Sequence, residues 1–451
     1  MAKTTDMTKG NPLSLIVRFA VPLFFGNIFQ QLYNLADSAI VGQKLGVDSL
    51  TAVGASASLF FLIFGFAMGF SVGFGIPVSQ RFGAGDLKAM RKYVINSFYL
   101  AAVLALVITV VMSINTESVL RLMKTPDKFI KEATDYLFII FLGLPFTVLY
   151  NQSASIERAL GDSRTPFIYL VVSAVINVAL DYFFIFCVGM GVEGAAIATV
   201  ISQGISGILC TVSLFRNFKE LKGITADLRP DLKSCRVLAG VGIPMGLQCS
   251  VTAIGSILLQ IAVNGLEVVY VSSYTIALKL KQLFIPEFDS IGTALATYVG
   301  QNYGAGRFDR IKKGMKSSGL IACVFYLITL AANIFGGEFL IKIFIKSQDT
   351  DPAIIAGAYM YIVIDAVMVF LLALLFIFRY TIQGIGRSIT AMLAGIFEMV
   401  ARLVMSLWVI PVIGWKGACI TDPMAWGSAM IYCGICCYVI LRREIRKSGK
   451  S

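Results

Sequence analysis

The sequence predicts an all-α integral membrane protein with twelve transmembrane helices in two pseudo-symmetric lobes of six. Three observations predict it. First, the 451 residues are 57% hydrophobic and only 14% charged, with a mean hydropathy of +0.81, whereas an ordinary soluble domain carries about 25% charged residues. A soluble fold of this composition has nowhere to hide its apolar surface. Second, apolar runs of about 20 residues, the length that spans a bilayer core, recur from end to end and leave no separate soluble domain. Third, landmarks of the first half return in the second.

The first half gives six runs: Leu13–Val41, Leu50–Val78, Val94–Ile114, Tyr136–Ser155, Phe167–Val188 and Gly194–Phe215. The first holds Pro22, Gln30, Tyr33 and Asp37, and the second holds Gly65, Gly69 and Gly73 at the four-residue spacing that lets helices pack closely. The fourth holds Asn151, the fifth Asn177 and Asp181, and the sixth Thr199. The second half gives Val237–Val263, Val271–Val299, Gly319–Phe335, Ile354–Phe378, Ile389–Ile410 and Ala418–Leu441.

The formal net charge of +12 suggests nucleic acid on a soluble protein, but here the basic residues sit in short joints between apolar runs. They set topology and meet anionic lipid. One set of alternating joints, with both chain ends, carries about 27 Lys and Arg against about 8 on the other face, so the rich side is cytoplasmic and both termini lie there. The set includes Lys3, Arg158, Arg216, Arg379 and Lys450. The expected location is the prokaryotic plasma membrane, with no cleaved signal ahead of the first helix.

Gln80-Arg-Phe-Gly-Ala-Gly85 returns as Gln301-Asn-Tyr-Gly-Ala-Gly306, 221 positions on. Gly191-Val-Glu-Gly-Ala195 returns as Gly414-Trp-Lys-Gly-Ala418, 223 positions on, and Pro22 pairs with Pro244. Six helices per half is an even number, so both halves enter from the same side. Parallel repeats of this kind place a substrate cavity between lobes that expose it alternately. The expected lobes are residues 1–222 and 223–451.

A carboxylate in hydrocarbon is costly, so it faces a cavity and has a partner. The deep carboxylates are Asp37, Asp181, Glu287, Asp289, Asp365, Glu398 and Asp422, with Lys279, Lys281 and Arg402 as buried cations. Gln30 and Asp37 are seven residues apart and share a helix face, as do Asn177 and Asp181 at four. Two carboxylates and an amide make an oxygen-only cage suited to Na+ or a proton. The plainer reading is a satisfied polar cluster that only packs helices. The chain has no His, so proton-driven transport would rest on a carboxylate. Glu398 and Arg402, four apart, read as an ion pair. Lys279, Lys281 and Asp365 either pair or face the cavity.

Other motifs carry no chemistry. Gly189-Met-Gly-Val-Glu-Gly194 fits a dinucleotide pattern but follows no strand. Cys433, Cys436 and Cys437 lack a second ligand pair and read as packing residues. No nucleophile, base and orienter stand at catalytic spacing, so no enzyme and no cofactor is expected.

Taken together, Pro22, Gln30-Gln-Leu-Tyr33-Asn-Leu-Ala-Asp37, Gln80 to Gly85, Gly161-Asp-Ser-Arg-Thr-Pro166 and Asn177-Val-Ala-Leu-Asp181 resemble the multidrug and toxic compound extrusion (MATE) family along essentially the whole chain. The resemblance implies a cation-coupled exporter of drugs or toxic organic cations, acting as a monomer. Its cation site, for Na+ or H+, falls on Asp37, Asn177, Asp181 and Thr199. Gln30, Tyr33 and Asn151 match polar cavity positions, and Pro22 a place where helix 1 bends. The NorM-type branch has a glutamate within helix 7, where this chain offers Gln248, Thr252 and Gln260. That departure favours the DinF-like branch, with Asp289 and Asp365 as cavity residues of the second lobe. The rival readings are a lipid-linked oligosaccharide flippase of the same superfamily and, from another class, a membrane enzyme or channel.

Overall fold

The computed structural model describes residues 4–123, 125–223, 228–343 and 351–449, and every regular element within them is helical. Lys3 and Lys450 lie outside the described residues. The first half holds α1 (Pro12–Leu45), α2 (Val47–Gly83), α3 (Leu87–Leu122), α4 (Asp127–Leu142), α5 (Leu144–Ala159), α6 (Arg164–Tyr182) and α7 (Val192–Asn217). The second holds α8 (Leu232–Asn264), α9 (Val268–Phe284), α10 (Pro286–Gly304), α11 (Phe308–Ile343), α12 (Pro352–Gly384), α13 (Ser388–Val404), α14 (Ile410–Ile413) and α15 (Trp415–Lys447).

Among the described residues ten helical stretches are long and apolar enough to cross a membrane, and the bent pair α4–α5 makes an eleventh. The remaining expected span is split into α9 and α10 and carries Lys279, Lys281, Glu287 and Asp289. It still closes on the repeated motif: α2 runs out at Gly83 before Gly85, and α10 at Gly304 before Gly306. Both terminal glycines are left-handed, with φ of 72° and 66°, a conformation other residues rarely adopt.

Proline sets the breaks. The chain turns by 46° between α4 and α5, where Pro145 stands in the first turn of α5, and α10 begins on Pro286. In each case the ring removes a backbone donor and disfavours helix in the preceding residue. Carboxylates start several helices: Asp86 accepts from the Ala89 amide at 3.1 Å and Asp351 from the Ala353 amide at 2.8 Å. Asp231, ahead of α8, accepts from the Ser234 hydroxyl at 2.6 Å, and that bond holds its carboxyl below the ordinary range.

The described chain divides into two compact units: residues 4–6 with 21–246, and residues 7–20 with 247–449. This differs from the division at 222/223 drawn from the repeat. The changes of unit fall beside Pro22 in α1 and Pro244 in α8, which the repeat pairs. A proline inside a helix leaves one backbone hydrogen bond unmade, which lets the two sides of the helix follow different neighbours. The helix α1 itself continues through Pro22.

In the first unit, Phe70, Phe74, Leu144, Val148 and Leu238 form one core cluster. A methyl on Gly73 would lie 2.6 Å from the Gly242 Cα, so the small residue allows the two backbones to touch. In the second unit, Tyr274, Tyr361 and Trp415 pack with Leu259 and Ile410. Large apolar side chains such as Leu106, Ile114, Leu327 and Phe335 are exposed on the outer helices, as lipid-facing surfaces require.

Candidate cation site and a buried ion network

Four helices of the first unit bring the predicted cation site together. Helix α1 supplies Tyr33 and Asp37, α6 supplies Asn177 and Asp181, α7 supplies Thr199, and α4 adds Tyr136. The Asn177 amide donates to the Thr199 hydroxyl at 3.3 Å. Asp181 is fully buried. Asp37 and Asp181 face each other, and the phenols of Tyr33 and Tyr136 stand within electrostatic reach of both.

Four buried oxygens of this cluster have no donor among the described residues: Asp37 Oδ1, Asn177 Oδ1, Asp181 Oδ1 and Asp181 Oδ2. A satisfied packing cluster has no such deficit, because buried acceptors are nearly always paired. Leaving a buried carboxylate oxygen unpaired is costly. The donor set is all oxygen, which suits a hard monovalent cation or a shared proton. Two residues past Asp181 the helix passes into a π-helical turn, Phe183–Val188. The second half does the same at Met405–Val409, close behind Arg402. Such bulges are frequent at functional sites.

The other expected cavity residues do not join this cluster. Gln30 is exposed. Asn151 turns its amide back onto the Thr147 carbonyl at 2.9 Å, within α5. Asp289 and Asp365 belong to the second unit, and both are engaged there. The Tyr380 hydroxyl donates to Asp289, and Lys281 Nζ donates to Asp365 at 2.9 Å.

Asp365 is one end of a buried ion chain. Lys281 also holds Asp422 at 2.5 Å, Arg402 Nε donates to Asp422 at 2.8 Å, and Arg379 donates to Glu398 at 3.0 Å. Arg402 and Glu398 close the chain at 3.7 Å. The Tyr361 hydroxyl donates to Asp422 at 3.1 Å, and the Trp426 ring lies 4.5 Å from the Lys281 ammonium. Lys281, Arg379 and Arg402 thus balance Asp365, Glu398 and Asp422. A cavity of about 20 Å³ beside Lys281, Asp365 and Thr329 has room for one water. Lys279 takes no part and is exposed.

Two placements correct the sequence reading. Arg379, read as a joint residue, is buried inside α12, because that helix continues to Gly384 rather than ending at Phe378. The Glu398–Arg402 pair is one link of a longer chain, and each of its members has a nearer partner elsewhere. Tyr136 and Glu157 carry no signal in the sequence: a tyrosine in an apolar run is not distinctive, and Glu157 lies just beyond the run that ends at Ser155.

Residues 22–183 and 244–408 match the sequence model of the family described as MatE. The chain belongs to the MatE family. Both matched stretches begin on the paired prolines, Pro22 and Pro244. MatE proteins are membrane transporters, not enzymes. The chain is 29% identical over 347 residues to the "Probable multidrug resistance protein YpnP" of Bacillus subtilis, covering 77% of this chain and 78% of that protein. It is 21% identical over 435 residues to the "FAD transporter" of Shewanella oneidensis, covering 95% and 94%. A solved structure described as the outward-facing conformation of a multidrug resistance MATE family transporter superposes with a TM-score of 0.91 at 24% identity, covering 98% of this chain and 99% of that one. That likeness shows the MatE fold.

Proposed function

We propose that this MatE protein exports small amphiphilic compounds, often organic cations, in exchange for Na+ or H+ bound at Asp37, Asn177, Asp181 and Thr199. The four donor-less buried oxygens of that cluster carry the reading. An ion entering down its gradient supplies the missing positive charge. It drives export only by binding one conformation better than the other, and that difference is the whole of the coupling. The Lys and Arg bias supports a plasma-membrane protein with both termini on the cytoplasmic side.

The name of the Bacillus relative favours drug export. The name of the Shewanella relative raises an anionic dinucleotide as the competing cargo. A phosphate-bearing cargo seeks uncommitted cations, and the buried cations of the second unit are already matched by carboxylates. That balance favours cationic cargo.

Asp37→Asn should reduce drug resistance of expressing cells to the level of cells without the protein, with the variant present in the membrane at wild-type amount. Full resistance in that variant would remove the site assignment.

A further inference from the structure

One buried carboxylate lies outside both the cation cluster and the ion chain. Glu157, at the end of α5, is completely buried. Its Oε2 accepts from the Cys210 thiol of α7 at 3.2 Å, and its Oε1 has no donor among the described residues. The ionisable groups facing it are Cys210, Tyr150, Arg158 and Asp162, and the Ser213 hydroxyl is also in reach. A lone buried glutamate with one oxygen unpaired is expensive to keep.

Its place relative to the cation site gives it a use. On α7, Thr199, Gln203, Ser206, Cys210, Ser213 and Asn217 follow one another at intervals of four, three, four, three and four residues. That spacing puts all six on one helix face. The stripe begins at the hydroxyl that Asn177 contacts in the cation cluster. Ser206, Cys210 and Ser213 are buried, and Gln203 Oε1 is another buried acceptor with no donor. The stripe ends at Asn217, which is exposed and donates to the Ser213 hydroxyl at 3.1 Å. Thr199 to Ser213 spans fourteen residues, about 21 Å of helix. Apolar side chains would suffice if α7 only packed against α5.

We propose that Glu157 is the inner acceptor for protons that leave the Asp37–Asp181 cluster, receiving them along the polar face of α7 and releasing them beside Asn217. This rests on the proposed cation coupling and takes the proton as the ion. The step is a balanced transfer. The acid O–H on Asp181 breaks and one on Glu157 forms, while each intervening hydroxyl or bridging water gives up one proton and takes one. Glu157 then gives its proton to bulk water and returns to a carboxylate. By the Lys and Arg bias, that release is on the cytoplasmic side.

Glu157→Gln tests this, because glutamine keeps the shape of the protonated acid and cannot carry a proton. Purified wild type and variant are compared for equilibrium binding of a fluorescent cationic dye, and in proteoliposomes for dye movement under a pH gradient. The expected result is unchanged dye binding with pH-driven transport slowed by at least about tenfold, and partial recovery when formate is added as a small permeant acid. Wild-type transport in the variant overturns the role of Glu157 and leaves the exporter reading standing. A wild type that responds to no pH gradient overturns the proton route together with proton coupling. Should Glu157→Gln not yield monodisperse protein, Ser213→Ala keeps the carboxyl and removes its outer hydroxyl neighbour. It must slow pH-driven transport, and an unchanged rate overturns the proposal.

Discussion

Asp181→Asn should lower ion-driven export by about 100-fold, the upper range of typical coupling between two ligands, while leaving the protein at least as heat-stable as wild type. The two effects have one cause. Asp181 is buried, and neither carboxylate oxygen has a donor among the described residues. In the proposed function the folded state bears the cost of that unmet demand so that an ion can bind there. An amide of the same shape removes half of the demand and offers a donor toward Asp37. A thermal unfolding scan in detergent and a flux assay, run on the same preparation, check both halves. Loss of stability together with loss of export would make Asp181 a packing residue, and the plainer reading of the cluster would return.

The ion chain of the second unit should behave in the opposite way. Lys281→Met removes the ion-pair partner that Asp365 has among the described residues and deprives Asp422 of one of its two. Removing one partner of a buried pair costs about 3–5 kcal/mol, chiefly because the remaining charge stays buried. Adding Asp365→Leu removes that orphan and leaves Asp422 with Arg402, so the double variant should recover most of the loss. Equilibrium unfolding of the two single variants and the double variant gives the coupling energy directly. Purely additive losses would contradict the chain as a charge-balanced unit. The contrast separates the units physically: one cluster is short of positive charge, and the other is closed on itself.

Most of the fold was legible in the sequence, because apolar runs of bilayer length are a one-dimensional signal. The 222-residue spacing of Pro22 and Pro244 even marks where α1 and α8 change unit. What did not show was the reach of helices past their apolar runs. Arg379 reads as a joint residue because a charge ordinarily ends a membrane run, yet Glu398 neutralises it inside the helix. The run Val271–Val299 reads as one span, and nothing in its apolar pattern marks the division into α9 and α10 at Pro286. The members of the candidate cluster are legible because Gln30 and Asp37, and Asn177 and Asp181, fall at helix-face spacing within apolar runs. Pairing across helices was not, since nothing local ties Lys281 to Asp365, 84 positions away, or to Asp422. Long-range partners appear only once the chain is folded.

In the proposed function an ion gradient, acting through Asp37 and Asp181, moves the cargo. The direct measurement is movement of a fluorescent cationic dye in proteoliposomes, with a Na+ gradient and a pH gradient imposed separately. At least one gradient is expected to drive the dye, and Asp37→Asn to stop it. Dye that moves under neither gradient, while a lipid-linked oligosaccharide crosses without one, would rule out ion-coupled export and leave a flippase in its place.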